Sequence, residues 1–293
     1  MANEYTYRAD HIGSLLPPPA LIEARAKFAR GEIDAGGLPE AENAAIKSVV
    51  EMQRSVGIAA ATDGGFRRAK PVAEAAFLRT LTRRPIKVAV PAARPSETSD
   101  PLARAGVVKK EIEALIAAGV DYIQLDAPGY AALFDAPKER VDELLKLDTS
   151  ALSGIERPSK VRIGAYIDPG AGGGLWRSTS GHEALVERLF NELPVDRFLL
   201  PFDATGAIDF AFLRVVPKGK LVALGLVSAT TSALEDVDKL LAQIDAAAKV
   251  IDGDNLALSP ATGLATGKIS EADQRRKLAL VVDVATRWWG FEM

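Results

Sequence analysis

Eight short apolar segments alternate with helical patterns along the chain, and this alternation restricts the fold more than any other feature. The strand-like segments are YTYRADHIGS, GIAAATDGG, IKVAVPAA, YIQLDAP, VRIGAYID, RFLLPFD, KLVALGLVS and NLALSPATG. Amphipathic patterns such as KERVDELLKL lie between them, and a Pro- and Gly-punctuated stretch with a helical insert separates the first two. Continuous apolar strands between helices indicate a parallel sheet covered on both faces. The sequence therefore predicts an α/β fold, a single (β/α)8 TIM barrel with an N-terminal helical insert; an open doubly wound sheet is the alternative.

The chain shows no linker and no shift in composition, which predicts one domain over residues 1–293. A net charge of −3 provides no basic surface for nucleic acid or an anionic membrane. No apolar run reaches the ~18 residues of a membrane-spanning helix, and the N-terminus lacks the pattern of a secretory signal. We therefore expect a cytoplasmic protein whose partner is a small molecule. The sequence leaves a homodimer open.

Cysteine is absent and histidine occurs only twice, at His11 and His182. These counts exclude disulfides, a cysteine nucleophile and a thiolate metal site. Any metal would need mostly carboxylate ligands, which favours magnesium or calcium over zinc. His182 is predicted to begin an outer helix and to take no part in chemistry.

Polar residues collect where the predicted strands stop. In a TIM barrel the carboxyl ends of the strands form one mouth, where active sites of this fold lie. The residues at these ends are Asp10, His11, Asp63, Asp126, Asp168, Asp203, Ser228, Ser259 and Thr262. A single Asp in such a position is commonly the N-cap of the next helix. Acids at five strand ends nevertheless favour a site that handles protons or cationic groups.

Four of these residues are predicted to be catalytic. His11 has a reference pKa suited to proton transfer, and a buried structural imidazole is its alternative role. Asp126 would orient a substrate amine or act as a base. Asp168 and Asp203 would form an acid and base pair, because two close carboxylates in a poorly solvated mouth separate their pKa values.

A second group of residues is predicted to bind the substrate. Arg67 and Arg68 suit a carboxylate, sulfonate or phosphate, and ion pairs with Asp or Glu are the alternative. Trp176 and Arg177 could stack on a flat ligand. Tyr166 either faces the substrate or points into the barrel wall, and alternation along the strand slightly favours the wall. The remaining predicted contacts come from Asp10, Asp63, Ser228 and Thr262.

Several segments resemble one family, the cobalamin-independent methionine synthases and the short relatives of their C-terminal catalytic domain. The similar segments are RADHIGSLLPPPALIEARAKFARGEI, ATDGGFRR, VDYIQLDAPG, KLVALGLVSATTSALED and LALSPATGLATGK. They occur in the family's order over nearly the whole chain. The resemblance implies a barrel and the transfer of a methyl or other alkyl group, and the same superfamily contains decarboxylase-like barrels that need no metal.

The resemblance also implies a zinc site that this sequence has lost. The family's zinc ligands are a His-x-Cys pair, a Glu and a Cys, and we read their positions here as Ala165, Ile167, Pro201 and Thr262. We therefore expect no metal and no resident cofactor, with reduced folate as a candidate co-substrate. The stretch GAYIDPGAGGG would be the metal-site loop without its ligands; a phosphate cradle is the alternative, although P-loop spacing is absent.

The family's contacts to a substrate amine are altered too. Gly65 stands where the family has Glu, and Ala127 replaces another Glu, whereas Asp126 is retained. Three hypotheses follow, led by a zinc-free methyl or alkyl transferase that acts on a small anionic substrate and is not an ordinary methionine synthase. The second is a cofactor-independent lyase or decarboxylase that uses Arg67 and Arg68. The third is a non-catalytic barrel that binds a ligand.

Overall fold

The computed structural model describes residues 7–34, 36–67, 71–94, 100–127, 130, 138–167, 183–202, 208–266 and 268–290. Within these ranges a parallel sheet contains six strands in chain order: β1 (Lys87–Pro91), β2 (Tyr122–Asp126), β3 (Arg162–Tyr166), β4 (Arg197–Pro201), β5 (Leu221–Val227) and β6 (Leu256–Pro260). The helices of the same ranges are α1 (Pro19–Ala29), α2 (Gly37–Val56), α3 (Pro71–Leu81), α4 (Pro101–Ala117), α5 (Lys138–Leu152), α6 (Glu183–Glu192), α7 (Val237–Ala248) and α8 (Glu271–Trp289).

The order of the sheet is that of a (β/α)8 barrel, with α1 as the predicted N-terminal helical insert and α2 as the predicted helix before the second segment. The six later strand predictions are confirmed, but the first two predicted strands are not regular strands. The first segment (residues 7–13) forms one parallel bridge, Ala9 to Leu258, and the second segment (residues 58–63) forms one, Ala61 to Ile86. These bridges extend the sheet at both edges, so that the two segments lie between β6 and β1.

Side chains replace the backbone ladder between these two segments. Gln53 of α2 binds both backbone groups of Thr62, accepting from its N–H at 2.9 Å and donating to its carbonyl at 2.8 Å. The Thr62 hydroxyl lies 3.3 Å from the Gly13 carbonyl, and the His11 ring lies 2.9 Å from the Ala60 carbonyl. Buried backbone groups must be paired, and here side chains satisfy them.

The strands have one face toward the helices and one toward the barrel interior. The helix-facing set joins a large apolar core that includes Ile123, Ile163, Phe198, Leu200 and Val222. A second, smaller cluster fills part of the interior with Ile12, Tyr166, Leu199, Ala223 and Ala257. Alternation along each strand produces this division. No helix among the described residues is long and apolar enough to cross a membrane.

Candidate active site

The lower part of the barrel interior contains a buried ionic cluster centred on Asp10. Its carboxylate lies 2.7 Å from Lys87 Nζ on β1, accepts from the Tyr122 hydroxyl on β2 at 2.9 Å, and lies 3.1 Å from Arg197 on β4. Strands β2 and β4 are not neighbours in the sheet, so these groups meet only inside the ring. Burial raises the pKa of Asp10, but Lys87, Arg197 and His11 outweigh this effect and hold the pKa below its usual value. Asp10 therefore links strands in the lower part of the barrel interior, whereas the sequence predicted that it contacts the substrate at the mouth.

His11 lies beside this cluster, with 2% of its surface exposed. Its Nε2 lies 2.9 Å from the Ala60 carbonyl, and its Nδ1 has no partner within the described ranges. Burial and the charge of Lys87 lower the pKa of His11 to about 4. The ring is therefore neutral near pH 7 and links two segments of the barrel. This geometry matches the structural alternative and does not support a role in proton transfer.

Asp126 ends β2 and is partly exposed, in contrast to the buried cluster below it. Gln124 lies two residues before Asp126 on the same face of β2. Its amide group donates to Asp126 Oδ1 at 2.7 Å and to the Ile12 carbonyl at 2.8 Å. Asp126 is paired in register with Pro91 on β1 and with Tyr166 on β3. A carboxylate held by an amide at a strand tip can orient an amine or accept a proton. This is the catalytic prediction that the described geometry fits best.

On β3 the structure corrects the assignment of the two predicted zinc positions. A Cβ on Gly164 would lie 2.9 Å from Arg197 Cγ and 3.1 Å from the Tyr122 ring, so Gly164 faces the interior and makes room for that cluster. The Tyr166 hydroxyl reaches the Ala261 carbonyl at 3.4 Å across the mouth. Ala165 and Ile167 join the helix-facing core, where no ligand could reach a metal in the mouth. The inward residues of this strand are thus Gly164 and Tyr166, and the expected wall orientation of Tyr166 is wrong.

The donor chemistry of these positions does not fit a zinc site. Pro201 on β4 and the half-buried Thr262 after β6 offer no nitrogen, thiolate or carboxylate side chain, and neither does Gly164 or Tyr166. Among the described residues no group of three or more His, Cys, Asp or Glu side chains could hold a metal ion. The loss of zinc remains a prediction, now resting on a corrected set of positions.

The turn after the second segment uses its predicted polar residues internally. Asp63 accepts from the backbone N–H of Gly65 at 2.9 Å and of Arg67 at 3.3 Å, which is a capping role. The Arg67 guanidinium binds Glu42 at 2.7 Å, Glu74 at 3.2 Å and Asn43 at 2.6 Å. Arg67 is thus held by carboxylates, which is the structural alternative to binding a substrate anion.

Glu74, in the first turn of α3, is a candidate that the sequence analysis missed. Its side chain is 4% exposed, and its Oε2 has no hydrogen-bond partner within the described ranges. Burial and the charge of Asp63 raise the pKa of Glu74 to about 7, although Arg67 opposes the shift. Glu74 occupies the buried stripe of α3 together with Pro71, Ala75 and Leu78. A charged residue in such an i, i+3, i+4, i+7 pattern was the available signal.

The other predicted residues separate into two groups. Ser228 follows β5, where its backbone N–H binds Glu235 at 2.8 Å and its hydroxyl lies 3.0 Å from that of Thr230. Ser259 on β6 is fully buried and donates to the Pro260 carbonyl at 3.0 Å. Six predicted or discussed positions lie outside the described residues: Arg68, Asp168, Trp176, Arg177, His182 and Asp203.

Comparisons with known proteins agree with this fold and sequence pattern. Residues 189–287 match the family model of the catalytic domain of cobalamin-independent synthases. YxjH, an uncharacterized protein of Bacillus subtilis, is 28% identical, and the match covers 97% of this chain and 95% of YxjH. A Listeria monocytogenes structure with the provisional assignment of vitamin-B12-independent methionine synthase has a TM-score of 0.81 and 27% identity, covering 97% of this chain and 98% of that one.

A B12-independent methionine synthase from Shewanella sp. W3-18-1, solved in complex with selenomethionine, shares the fold. Its TM-score is 0.78 at 20% identity, covering 96% of this chain and 97% of that one. The similarity therefore extends along nearly the whole length of both proteins. Taken with the family model and the barrel, it shows that the chain resembles the catalytic domain of the cobalamin-independent methionine synthases in fold and in sequence pattern.

Proposed function

We propose that the chain is a zinc-free methyl or alkyl transferase that acts on a small anionic substrate at the barrel mouth. The observation that carries this proposal is Asp126, a partly exposed carboxylate fixed by Gln124 at the tip of β2. The similarity to the cobalamin-independent synthases supports the reaction class, and the aliphatic and hydroxyl side chains at the expected ligand positions support the absence of zinc. Reduced folate is the proposed co-substrate, and the cytoplasm is the proposed location.

Asp126 is proposed to orient the acceptor and to take part in its deprotonation. A free aliphatic thiol with a pKa of ~8.5 is only a few per cent ionised near pH 7, so a zinc-free enzyme must select or activate its acceptor differently. Tyr166, which lies beside Asp126 on the neighbouring strand, would help to position the substrate. Asp168 and Asp203 remain the proposed acid and base groups. Arg68 and Arg177 remain proposed contacts to the anionic group of the substrate.

The lyase alternative receives less support from the described residues. That hypothesis used Arg67 to hold a substrate anion, and the guanidinium of Arg67 is instead bound by Glu42, Glu74 and Asn43. A guanidinium with three acceptors has little capacity for a further anion, because it presents a limited set of donors in fixed directions.

A labelling experiment tests the proposal. Purified protein, with and without EDTA, is mixed with 5-methyltetrahydrofolate carrying a 13C methyl group and a panel of small anionic thiols that includes homocysteine. We expect a labelled product whose formation is insensitive to EDTA, and an Asp126→Asn rate lower by ~100-fold or more, as loss of an acid or base group requires.

The matched control is Asp142→Asn on α5, a surface carboxylate paired with Lys138 and Arg188. This variant should keep the full rate. Transfer that requires one equivalent of zinc would contradict the proposal, and so would an undiminished rate in Asp126→Asn or a complete absence of labelled product.

A further inference from the structure

The connection from β5 to α7 (residues 228–236) lies at the barrel mouth and is largely exposed. It follows the carboxyl end of β5, and connections at this end form the active sites of TIM barrels. Residues 230–234 are all exposed to solvent, and Leu234 has 45% of its surface exposed. A segment with so little burial opens locally at low cost unless other side chains hold it.

Lys277 of α8 binds this connection with its ammonium group. The side chain of Lys277 is completely buried, and its Nζ lies 3.0 Å from both carboxylate oxygens of Glu235. The same ammonium group donates to the Ala233 carbonyl. Glu235 in turn accepts from the backbone N–H of Ser228 at 2.8 Å. Lys277 is therefore linked to both ends of the connection, directly near α7 and through Glu235 at the end of β5.

The lysine at this position favours a fixed geometry more than stability. Residue 277 belongs to the buried stripe of α8, together with Gln274, Leu278 and Val281. A leucine or methionine in such a stripe would pack without the cost of removing a charge from water. A buried ion pair is often no more stabilising than apolar residues of similar volume. What the charge of Lys277 provides is a defined direction for the Glu235 carboxylate and for the backbone that this carboxylate binds.

The connection carries hydroxyl groups on the rim that also includes Tyr166. The Ser228 hydroxyl lies 3.0 Å from that of Thr230 and accepts from the Thr230 N–H at 3.2 Å. The residue before Ser228, Val227, accepts from the Ala261 N–H at 2.8 Å. The Ala261 carbonyl in turn accepts from the Tyr166 hydroxyl at 3.4 Å. Through Ala261, the start of the connection therefore adjoins Tyr166 at the mouth.

We propose that Lys277 is a positioning residue for the substrate site. Acting through Glu235, it holds the Ser228 and Thr230 hydroxyls where they form hydrogen bonds with a bound substrate. The proposal rests on the proposed function for one point, namely that a substrate binds at this mouth. It adds a determinant of substrate affinity that is buried on α8 and does not touch the substrate itself.

Amide hydrogen exchange tests the positioning without any turnover. Lys277→Met keeps a long side chain but removes the ammonium group, so the connection should open locally. We expect the rate of the Ser228 amide to increase at least ~10-fold more than that of the Leu224 amide on β5, because Leu224 reports the stability of the sheet. Lys239→Met removes an exposed lysine of α7 and is the matched control, which should leave both rates unchanged.

A second variant covers the case in which Lys277→Met folds poorly. Lys277→Met combined with Glu235→Gln leaves no unpaired charge and should show the same selective effect on Ser228. If the Ser228 and Leu224 amides accelerate equally, or if neither changes, Lys277 does not position the connection and the proposal is wrong.

The methyl-transfer assay tests whether the positioned hydroxyls contact the substrate. Lys277→Met should raise KM by ~3-fold to 10-fold and change kcat by less than ~2-fold, as expected for loss of about one neutral hydrogen bond to the bound substrate. Ser228→Ala should have the same effect. The combined variant should be no worse than either single one, because both changes remove the same interaction.

The kinetic outcomes separate this proposal from the proposed function. Additive effects of Lys277→Met and Ser228→Ala on KM, or a loss confined to kcat, would contradict the positioning role. A complete absence of methyl transfer by the original protein would reject the proposed function, and the exchange rate of the Ser228 amide would then decide whether Lys277 fixes the connection.

Discussion

At the scale of single residues, Asp10 has the largest expected effect on stability. It is the carboxylate that compensates both Lys87 and Arg197 inside the barrel, and all three side chains are almost completely buried. Removing one partner of a buried ion pair leaves an uncompensated charge and costs ~3–5 kcal/mol. Asp10→Asn should therefore lower the free energy of unfolding by about this amount, as measured by urea denaturation.

Asp283→Asn on α8 is the matched control for Asp10→Asn. Asp283 pairs with Arg287 at 3.0 Å, but both side chains are about half exposed. Exposed pairs contribute less than ~1 kcal/mol, so this variant should be nearly neutral. A similar loss of stability in the two variants would mean that the Asp10 cluster is not an essential part of the barrel floor.

At the scale of secondary-structure elements, the side chain of Gln53 supplies the hydrogen bonds that a neighbouring strand would otherwise make. It is 1% exposed and binds both the N–H and the carbonyl of Thr62. Gln53→Leu keeps a similar volume but leaves two buried backbone groups without partners, and each costs ~1–3 kcal/mol. We expect a loss of ~2–4 kcal/mol in the free energy of unfolding from urea titration.

Gln243→Leu on the half-buried face of α7 is the corresponding control and should change stability by less than ~0.5 kcal/mol. Amide hydrogen exchange provides a second measurement. The Thr62 amide should exchange much faster in Gln53→Leu and at the original rate in the control. Retained protection of Thr62 in Gln53→Leu would show that another group pairs with it.

These side-chain partners explain which elements could be predicted from the sequence. Continuous apolar runs such as KLVALGLV specify strands that pair by backbone, and the six later strands were predicted correctly. The first two segments look similar in sequence, but a strand pattern does not reveal that Gln53 and His11 supply the hydrogen bonds. Gln53 continues the buried stripe of α2 after Ile46, Val49 and Val50, which was the readable signal.

The same limit applies to the candidate site. The sequence indicates that a polar residue ends a strand, but it does not give its depth in the barrel. Asp126 lies at the mouth as predicted, whereas Asp10 and His11 lie lower because their partners, Lys87 and Ala60, come from segments distant in sequence. Glu74 was missed because it belongs to a helix, and its effect depends on Asp63 and Arg67, which only the tertiary fold brings close.

At the scale of the whole molecule, two buried groups make opposite contributions to the pH dependence of stability. His11 has a pKa of about 4 in the folded protein, so between this value and its unfolded pKa of ~6.5 the unfolded chain binds more protons. Stability from His11 therefore rises with pH in this window. Glu74 has a folded pKa of about 7 against an unfolded value of ~4.5, so here the folded protein binds more protons and stability falls as pH rises.

Near pH ~5.5 the two slopes are about equal in size and cancel, because each approaches the loss or gain of one proton. Burial is the main cause of the raised pKa of Glu74; the charges of Asp63 and Glu42 raise this pKa further, and Arg67 lowers it. Replacing Glu74 by Gln leaves the His11 contribution uncompensated, whatever the variant costs in overall stability. The free energy of unfolding of Glu74→Gln, relative to that of the original protein, should therefore increase by ~1 kcal/mol for each pH unit between about pH 5 and pH 6.

Urea denaturation at intervals across this range measures how the free energy of unfolding changes with pH. Glu51→Gln is the control variant and should keep the pH dependence of the original protein. If the pH slope of the free energy of unfolding in Glu74→Gln equals that of the original protein or lies below it, Glu74 is ionised throughout this range and its pKa is not raised.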